Sequence, residues 1–509
     1  MNRSVLSRIG TLTAAAVTVA VLVPATATAA SSSLDWGPCP EAATLQCATL
    51  KVPLDYRNPG GKTIDIAVSK LASTKPAKRR GIMLMNPGGP GGPGLTMPEA
   101  LRASGAPSSV LDAYDLIGFD PRGIGNSTPV TCDLKPEQLV SNVPPYARDA
   151  AAVAERAKAV AGIAKQCGDS KTAANLPYIT TANTARDMDR IREALGEKKL
   201  SYYGVSYGSY LGAVYSTLFP QQTDRVVLDS VTSPGGLDPA TSRRLAEGFQ
   251  DRFPDFAKWA AARDDSYGLG RTPRQVTAKF YELADKLDSG AVPGVDGAAF
   301  RMGTFGALYS TSAFPVLAQQ WQSLDGEGVM KQAAQTDIGN VLSGQLHVVC
   351  NDANWPENVG VYQRNVEKDR VKYPMFGAAG ANIWACAFWP SEPIEPPVKI
   401  GDRGPSTILL VQNLRDPATP LSGAKEMRRA LGDRARMVSV DQGGHGVWLG
   451  SENACGNNAV NRFLVEGKRP AHDTACGADK GGLFDSMNPQ QRQDREKALD
   501  EVRSKQQVF

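Results

Sequence analysis

Six short apolar runs recur along the chain, each followed by a glycine-rich or polar loop and then a helix-like pattern. They are "GIMLMN" (81–86), "YDLIGFD" (114–120), "LSYYG" (200–204), "RVVLDS" (225–230), "STILLVQN" (406–413) and "RMVSVDQ" (436–442). Runs of this length without internal alternation read as strands buried on both faces. Alternation with helices predicts an α/β fold with a mainly parallel sheet covered on both sides. Ligands of such sheets sit at the carboxyl ends of the strands, where these loops lie.

The rhythm stops between 233 and 400. There the pattern is helical and rich in aromatics, including Phe249, Phe253, Phe256, Trp259, Trp321, Trp355, Trp384, Phe388 and Trp389. Because the segment falls between two strands, it reads as an inserted helical lid. A second insertion, 128–178, carries the helical run "ARDAAAVAERAKAVAGIAKQC". The expected organisation is a signal segment (1–30), a first core part (31–232), the lid (233–400), a second core part (401–476) and a polar tail (477–509). Within the tail, a surface helix is predicted near 488–506.

The N-terminus pairs Arg3 and Arg8 with a short apolar stretch, Ile9 to Val23, and the small residues of "ATATAA". That is the pattern of a secretory signal cleaved after Ala29 or Ala30. The apolar stretch falls short of the roughly 20 residues a membrane span needs. Export predicts a secreted protein and suits eight cysteines, an even number expected to form disulfides. Pairing of neighbours gives 39–47, 132–167, 350–386 and 455–476. A net charge of +4 over 509 residues, two units of it in the signal segment, gives no support for nucleic-acid or polybasic membrane binding.

Gly204-Val205-Ser206-Tyr207-Gly208 has the form G-x-S-x-G between a strand and a helix. A sharp strand-to-helix turn needs small residues at −2 and +2 so that the serine can project. Serine needs a base, and the chain has three histidines. His445, in "DQGGHGVW", follows a strand in a glycine-flanked loop. His347, inside "QLHVVC", reads as a packed core residue, and His472 as a surface one. Asp416, in "QNLRDPATP", stands at a strand's end and would hold the imidazole. The order Ser206, Asp416, His445 is that of α/β-hydrolase triads. Oxyanion donors would be the backbone N–H of Tyr207 and one from "MNPGGPGGPG". Pro90 has no N–H, so Gly88 or Gly89 must serve, with Gly89 preferred. Asp120 and Arg122, in "FDPRGIGNS", either brace the site or, the preferred reading, form a structural salt-bridged turn. A phosphate loop is excluded, since no GK[ST] follows and prolines remove amides. No metal ligand set or cofactor motif is evident.

"NPGGPGGPG", "DLIGFDPRGIGNS", "TTANTARDMDRIREALGEKKLSYYGVSYGSYLGAVY", "RDPATP", "GGHG", "VVCNDANWP" and "CAFWP" together resemble the secreted tripeptidyl aminopeptidases of the proline-iminopeptidase group. The similarity runs from about Asp35 to Cys476. It implies an α/β-hydrolase fold, the triad Ser206, Asp416 and His445, and release of short peptides from a free N-terminus. Proline iminopeptidases usually carry His before GGPG, where this chain has Pro87. Binding a substrate ammonium calls for a carboxylate under the lid: Asp352 first, Glu357 second. The same triad would suit a carboxylesterase. A catalytically inert binding protein would be expected to lack a triad member, and none is missing.

Overall fold

A computed structural model describes residues 34–506 except 41, 140, 293, 327–337 and 479–486; the signal segment lies outside the described residues. The strands are β1 (Gly37–Pro38), β2 (Gln46–Pro53), β3 (Thr63–Leu71), β4 (Gly81–Asn86), β5 (Tyr114–Phe119), β6 (Leu200–Val205), β7 (Thr223–Asp229), β8 (Ile408–Arg415), β9 (Ala435–Gly443) and β10 (Thr474–Cys476). They form one sheet in the order β1-β2-β3-β5-β4-β6-β7-β8-β9-β10. The first three strands and β5 pair antiparallel. From β5 to β10 every pairing is parallel. Each of the six apolar runs is a strand of the parallel part. Every residue of β4 and β6 is buried, which is why these strands lack the alternation of a half-exposed sheet.

Helices cover both faces. Thr181–Ala194, Tyr207–Leu218 and Leu421–Ala430 supply Met188, Ile191, Leu211, Val214 and Met427 to one apolar layer. Met97–Ala103, Ser108–Ala113 and Ala454–Glu466 supply Met97, Leu101, Val110, Val460 and Phe463 to the other. Thr180 begins the helix that leads into β6: its Oγ1 accepts the Asn183 amide at 3.1 Å, satisfying a donor the first turn leaves open.

Between β7 and β8 the described residues form helices and no strand. Phe249 stacks on Phe253, Phe305 and Phe376, with centroids 5.9, 6.3 and 5.2 Å apart. Phe280 and Trp321 complete this second core, so most of the aromatics hold the insertion together. "QLHVVC" belongs to the helix Gly339–Asp352. The other insertion contributes the helix Ala150–Asp169, capped by Asp149, whose Oδ1 accepts the Ala152 amide at 2.8 Å. It packs against Val359–Lys372.

The four disulfides are Cys39–Cys47, Cys132–Cys167, Cys350–Cys386 and Cys455–Cys476, the nearest-neighbour pairing. Among the described residues no helix is long and apolar enough to cross a membrane. The expected tail helix forms at Pro489–Gln506, but it is more than a surface appendage. It lies on Met97–Ala103, Glu501 accepts a hydrogen bond from Thr96 at 2.7 Å, and a Cβ on Gly92 would lie 2.5 Å from the Lys505 carbonyl oxygen.

Candidate active site

Ser206 ends β6 with φ 59° and ψ −127° and begins the helix Tyr207–Leu218. A non-glycine residue in this region is strained and persists only where its surroundings hold it. The Ser206 amide donates to the Asp229 carbonyl at 3.0 Å, and its carbonyl accepts Ser209 N. The flanking glycines are required: a Cβ on Gly204 would overlap the Gly208 carbonyl, and one on Gly208 would lie 2.7 Å from the Asn86 carbonyl oxygen.

The loop after β4 lies against this turn. A Cβ on Gly88 would sit 2.6 Å from Val205 O and 3.0 Å from Ser206 Cβ. Gly88 N–H is already committed to Asn86 Oδ1 at 2.9 Å, so of the two loop amides expected as oxyanion donors Gly89 is the one not engaged in this way. Asp120, fully buried, accepts Gly94 N at 2.8 Å, Leu95 N at 3.1 Å and Asn126 N at 2.9 Å. It therefore ties the loop after β5 to the glycine loop. Burial raises its pKa, against those hydrogen bonds. Arg122 turns away to Asp187, with bonds of 2.7 and 2.6 Å, and to the Leu54 carbonyl at 2.9 Å; its role is structural, but its partner is Asp187 on the neighbouring helix and not Asp120 within the turn.

Asp416 follows β8 and is fully buried. Its Oδ1 accepts Ala418 N at 3.0 Å and Thr419 N at 2.9 Å. His445 follows β9, and its Nδ1 lies 2.9 and 3.0 Å from the two Asp416 oxygens. Held so, the ring presents Nε2, which is buried and has no hydrogen-bond partner, Ser206 Oγ included. Resting geometries of this kind tighten when substrate arrives. The His445 amide donates to Tyr309 O at 2.9 Å, and the two rings lie 4.9 Å apart, so the insertion holds the histidine directly.

A cavity of about 390 Å³ opens beside His445. Tyr309 to Ser312 of the insertion wall it on one side, and Arg495 and Arg503 of the C-terminal helix on another. Asp352 ends Gly339–Asp352, and its Oδ1 accepts Thr181 N at 2.8 Å while Oδ2 meets Thr181 Oγ1. That hydroxyl also bonds Tyr207 Oη at 2.5 Å, linking Asp352 to the residue after Ser206. Burial pushes its pKa up to about 7, against the Thr181 bonds. Glu357 is exposed beyond Trp355. His347 is buried on Ser343 O at 2.7 Å, and His472 is exposed, both as expected.

Sequence reasoning missed Asp229, whose carboxylate accepts Val447 N and Trp448 N, each at 2.8 Å. It also missed Asn413, whose Nδ2 donates to Gly444 O at 2.9 Å and Gly446 O at 3.1 Å. Both polar residues interrupt apolar strand ends, which was the available signal.

A serine in a strained strand-to-helix turn, on a doubly covered mainly parallel sheet with a buried Asp–His pair two and three strands away, defines a serine hydrolase of the α/β-hydrolase class. A family model described as TAP-like protein matches residues 373–476. The chain is 36% identical over 478 residues to a tripeptidyl aminopeptidase of Streptomyces lividans, an alignment covering 89% of this chain and 88% of that one. It belongs to the tripeptidyl aminopeptidase family. It is also 28% identical to the serine protease Hip1 of Mycobacterium tuberculosis, over 84% of this chain and 87% of that one. A carboxylesterase B of the same species is 29% identical, over 86% and 87%.

Proposed function

We propose that the protein is a secreted exopeptidase that releases short peptides, tripeptides foremost, from the free N-terminus of its substrates. The observation that carries the catalytic reading is the buried Asp416–His445 pair with Nε2 unpartnered. In this reading Ser206 Oγ attacks the scissile carbonyl carbon and its proton passes to His445 Nε2. The oxyanion is held by the amides of Tyr207 and Gly89. Collapse breaks the C–N bond as His445 returns the proton to the leaving amine. Water, deprotonated by the same nitrogen, then attacks the acyl-enzyme and frees the peptide acid and Ser206. Asp352 receives the substrate ammonium through the lone pairs Thr181 leaves, with Glu357 the second candidate. Four disulfides support an oxidising, exported location.

The test is mass spectrometry of fragments released from unblocked peptides and from their N-acetylated forms, with Ser206→Ala as control. Fragments of fixed short length from the unblocked set alone support the reading; equal cleavage of both sets overturns it. The carboxylesterase among the relatives favours one second reading, ester hydrolysis by the same serine, which cleavage of short acyl esters with no release from any peptide would establish.

A further inference from the structure

Among the described residues Arg156 has no hydrogen-bond or ion-pair partner. It lies mid-way along Ala150–Asp169, Nε is buried without a hydrogen bond, and no ion pair reaches it among the described residues. Three buried arginines differ: Arg122, Arg252 and Arg301 face Asp187, Asp255 and Asp288, whereas Arg156 is half-buried. Burial alone lowers the Arg156 pKa, with no carboxylate to offset it. An uncompensated guanidinium in such a place is costly unless something supplies the negative charge.

The space beside it is a cavity between the two insertions, lined also by Gln138, Asn142, Leu342, Gln345 and Trp384. Its volume of about 50 Å³ is several times the ~10–15 Å³ that one water needs, room enough for a carboxylate. One helix joins this cavity to the candidate active site. Gly339–Asp352 presses the Val341 carbonyl and the Gln345 amide on Gly91 of the glycine loop, while Leu342 and Gln345 line the cavity. The cavity is therefore linked to the glycine loop through this one helix.

We propose that the cavity is a subsite for an acidic side chain of the segment cleaved off, with Arg156 pairing its carboxylate. A guanidinium offers a carboxylate two parallel N–H donors; the side-chain amides of Gln138 and Gln345, which also line the cavity, are engaged with Gln166 and the Asn142 carbonyl. The substrate class rests on the exopeptidase reading above, but the recognition of a carboxylate does not.

The experiment uses unblocked tripeptide amides of a fluorogenic amine in which each position in turn carries Glu or Gln. In the native protein, kcat/KM at one position should favour Glu over Gln by about tenfold or more. In Arg156→Gln that ratio should fall to about one, Arg156→Lys should keep part of it, and Arg156→Glu should invert it toward a Lys-bearing substrate. A ratio near one at every position in the native protein, or a preference that survives Arg156→Gln, overturns the proposal. If no unblocked amide is cleaved but short acyl esters are, the exopeptidase reading fails on its own. The same comparison is then made between an acyl ester ending in a carboxylate and its methyl ester. A preference of about tenfold, lost in Arg156→Gln, upholds the subsite, and a flat ratio overturns it.

Discussion

Asp229 holds Ser206 from behind: its main-chain carbonyl accepts the Ser206 amide at 3.0 Å, while its carboxylate accepts the amides of Val447 and Trp448 at 2.8 Å each. One residue at the end of β7 thus couples the nucleophile turn, after β6, to the loop that carries His445, after β9. Ser230 adds a second tie, its Oγ accepting Gly446 N at 2.7 Å.

Replacing Asp229 with Asn tests this coupling. Asparagine has one acceptor oxygen, and its NH₂ would face an amide that already donates, so one buried N–H loses its partner. Hydrogen bonds to charged groups contribute about 1.5–3 kcal/mol. The thermal midpoint should fall by several degrees. On a tripeptide amide, kcat should drop about ten- to a hundredfold with KM little changed, because the ammonium and side-chain contacts are elsewhere. A KM rise with unchanged kcat would contradict the coupling.

The turn itself is held by exclusion. Gly204→Ala would drive a methyl into the Gly208 carbonyl and the fully buried Tyr202 ring, and neither has room to move. We expect activity to fall by about a thousandfold or more and stability by about 1–3 kcal/mol. Titration with a serine-directed phosphonate should show almost no reactive Ser206. Full labelling would mean that the turn tolerates the methyl.

The parallel half of the sheet was legible because its central strands, β4 and β6 above all, are buried on both faces and so write unbroken apolar runs; β10, three residues long and mostly exposed, was not. The antiparallel half was not: β2 alternates, as in Gln46–Pro53, and β1 has two residues, too little pattern to register. Ser206, Asp416 and His445 were readable because a tight turn demands glycines and because histidines are few. Asp229 showed only as a polar residue ending an apolar run, and that signal is ambiguous, since an aspartate ending a strand looks the same whether it faces solvent or holds a loop. The docking of Pro489–Gln506 was hidden. Its contacts run through arginine and lysine stems, Ala498 and Leu499 rather than an apolar stripe, and long charged side chains bury area without an apolar signature.

Asp352 offers a pH test of amine recognition. Burial raises its pKa to about 7, offset in part by Thr181. Only the ionised form attracts an ammonium, so charge is present above pH 7 and lost below it. For unblocked peptide amides, KM should rise as pH falls from 8 to 6. Asp352→Asn keeps an oxygen for Thr181 N and removes the charge. It should lower kcat/KM for unblocked amides by about tenfold or more relative to N-acetylated esters and abolish the pH trend in KM. Equal loss on both substrate classes would leave Asp352 a structural cap of Thr181–Ala194.

His347 sets a stability prediction independent of catalysis. It is fully buried, its ring stands edge-on to Trp389 at 5.4 Å, and Nδ1 bonds Ser343 O. Burial, partly offset by that bond, pushes its pKa down to about 4, against ~6.5 in an unfolded chain. The unfolded state therefore binds a proton near pH 6.5 that the folded state refuses until about pH 4. The stability this neutral histidine contributes is fully present above pH 6.5 and is lost as pH falls through that window. Between pH 7 and 5 the loss from His347 alone amounts to about 2 kcal/mol. Carboxylates titrate over the same range, so the measurement is a difference: urea midpoints at pH 7 and pH 5 for the native protein and for His347→Met, which fills the space without a titrating group. The native midpoint should fall further than that of the variant. Parallel shifts in the two proteins would show that His347 is protonated in the folded state as readily as in the unfolded one.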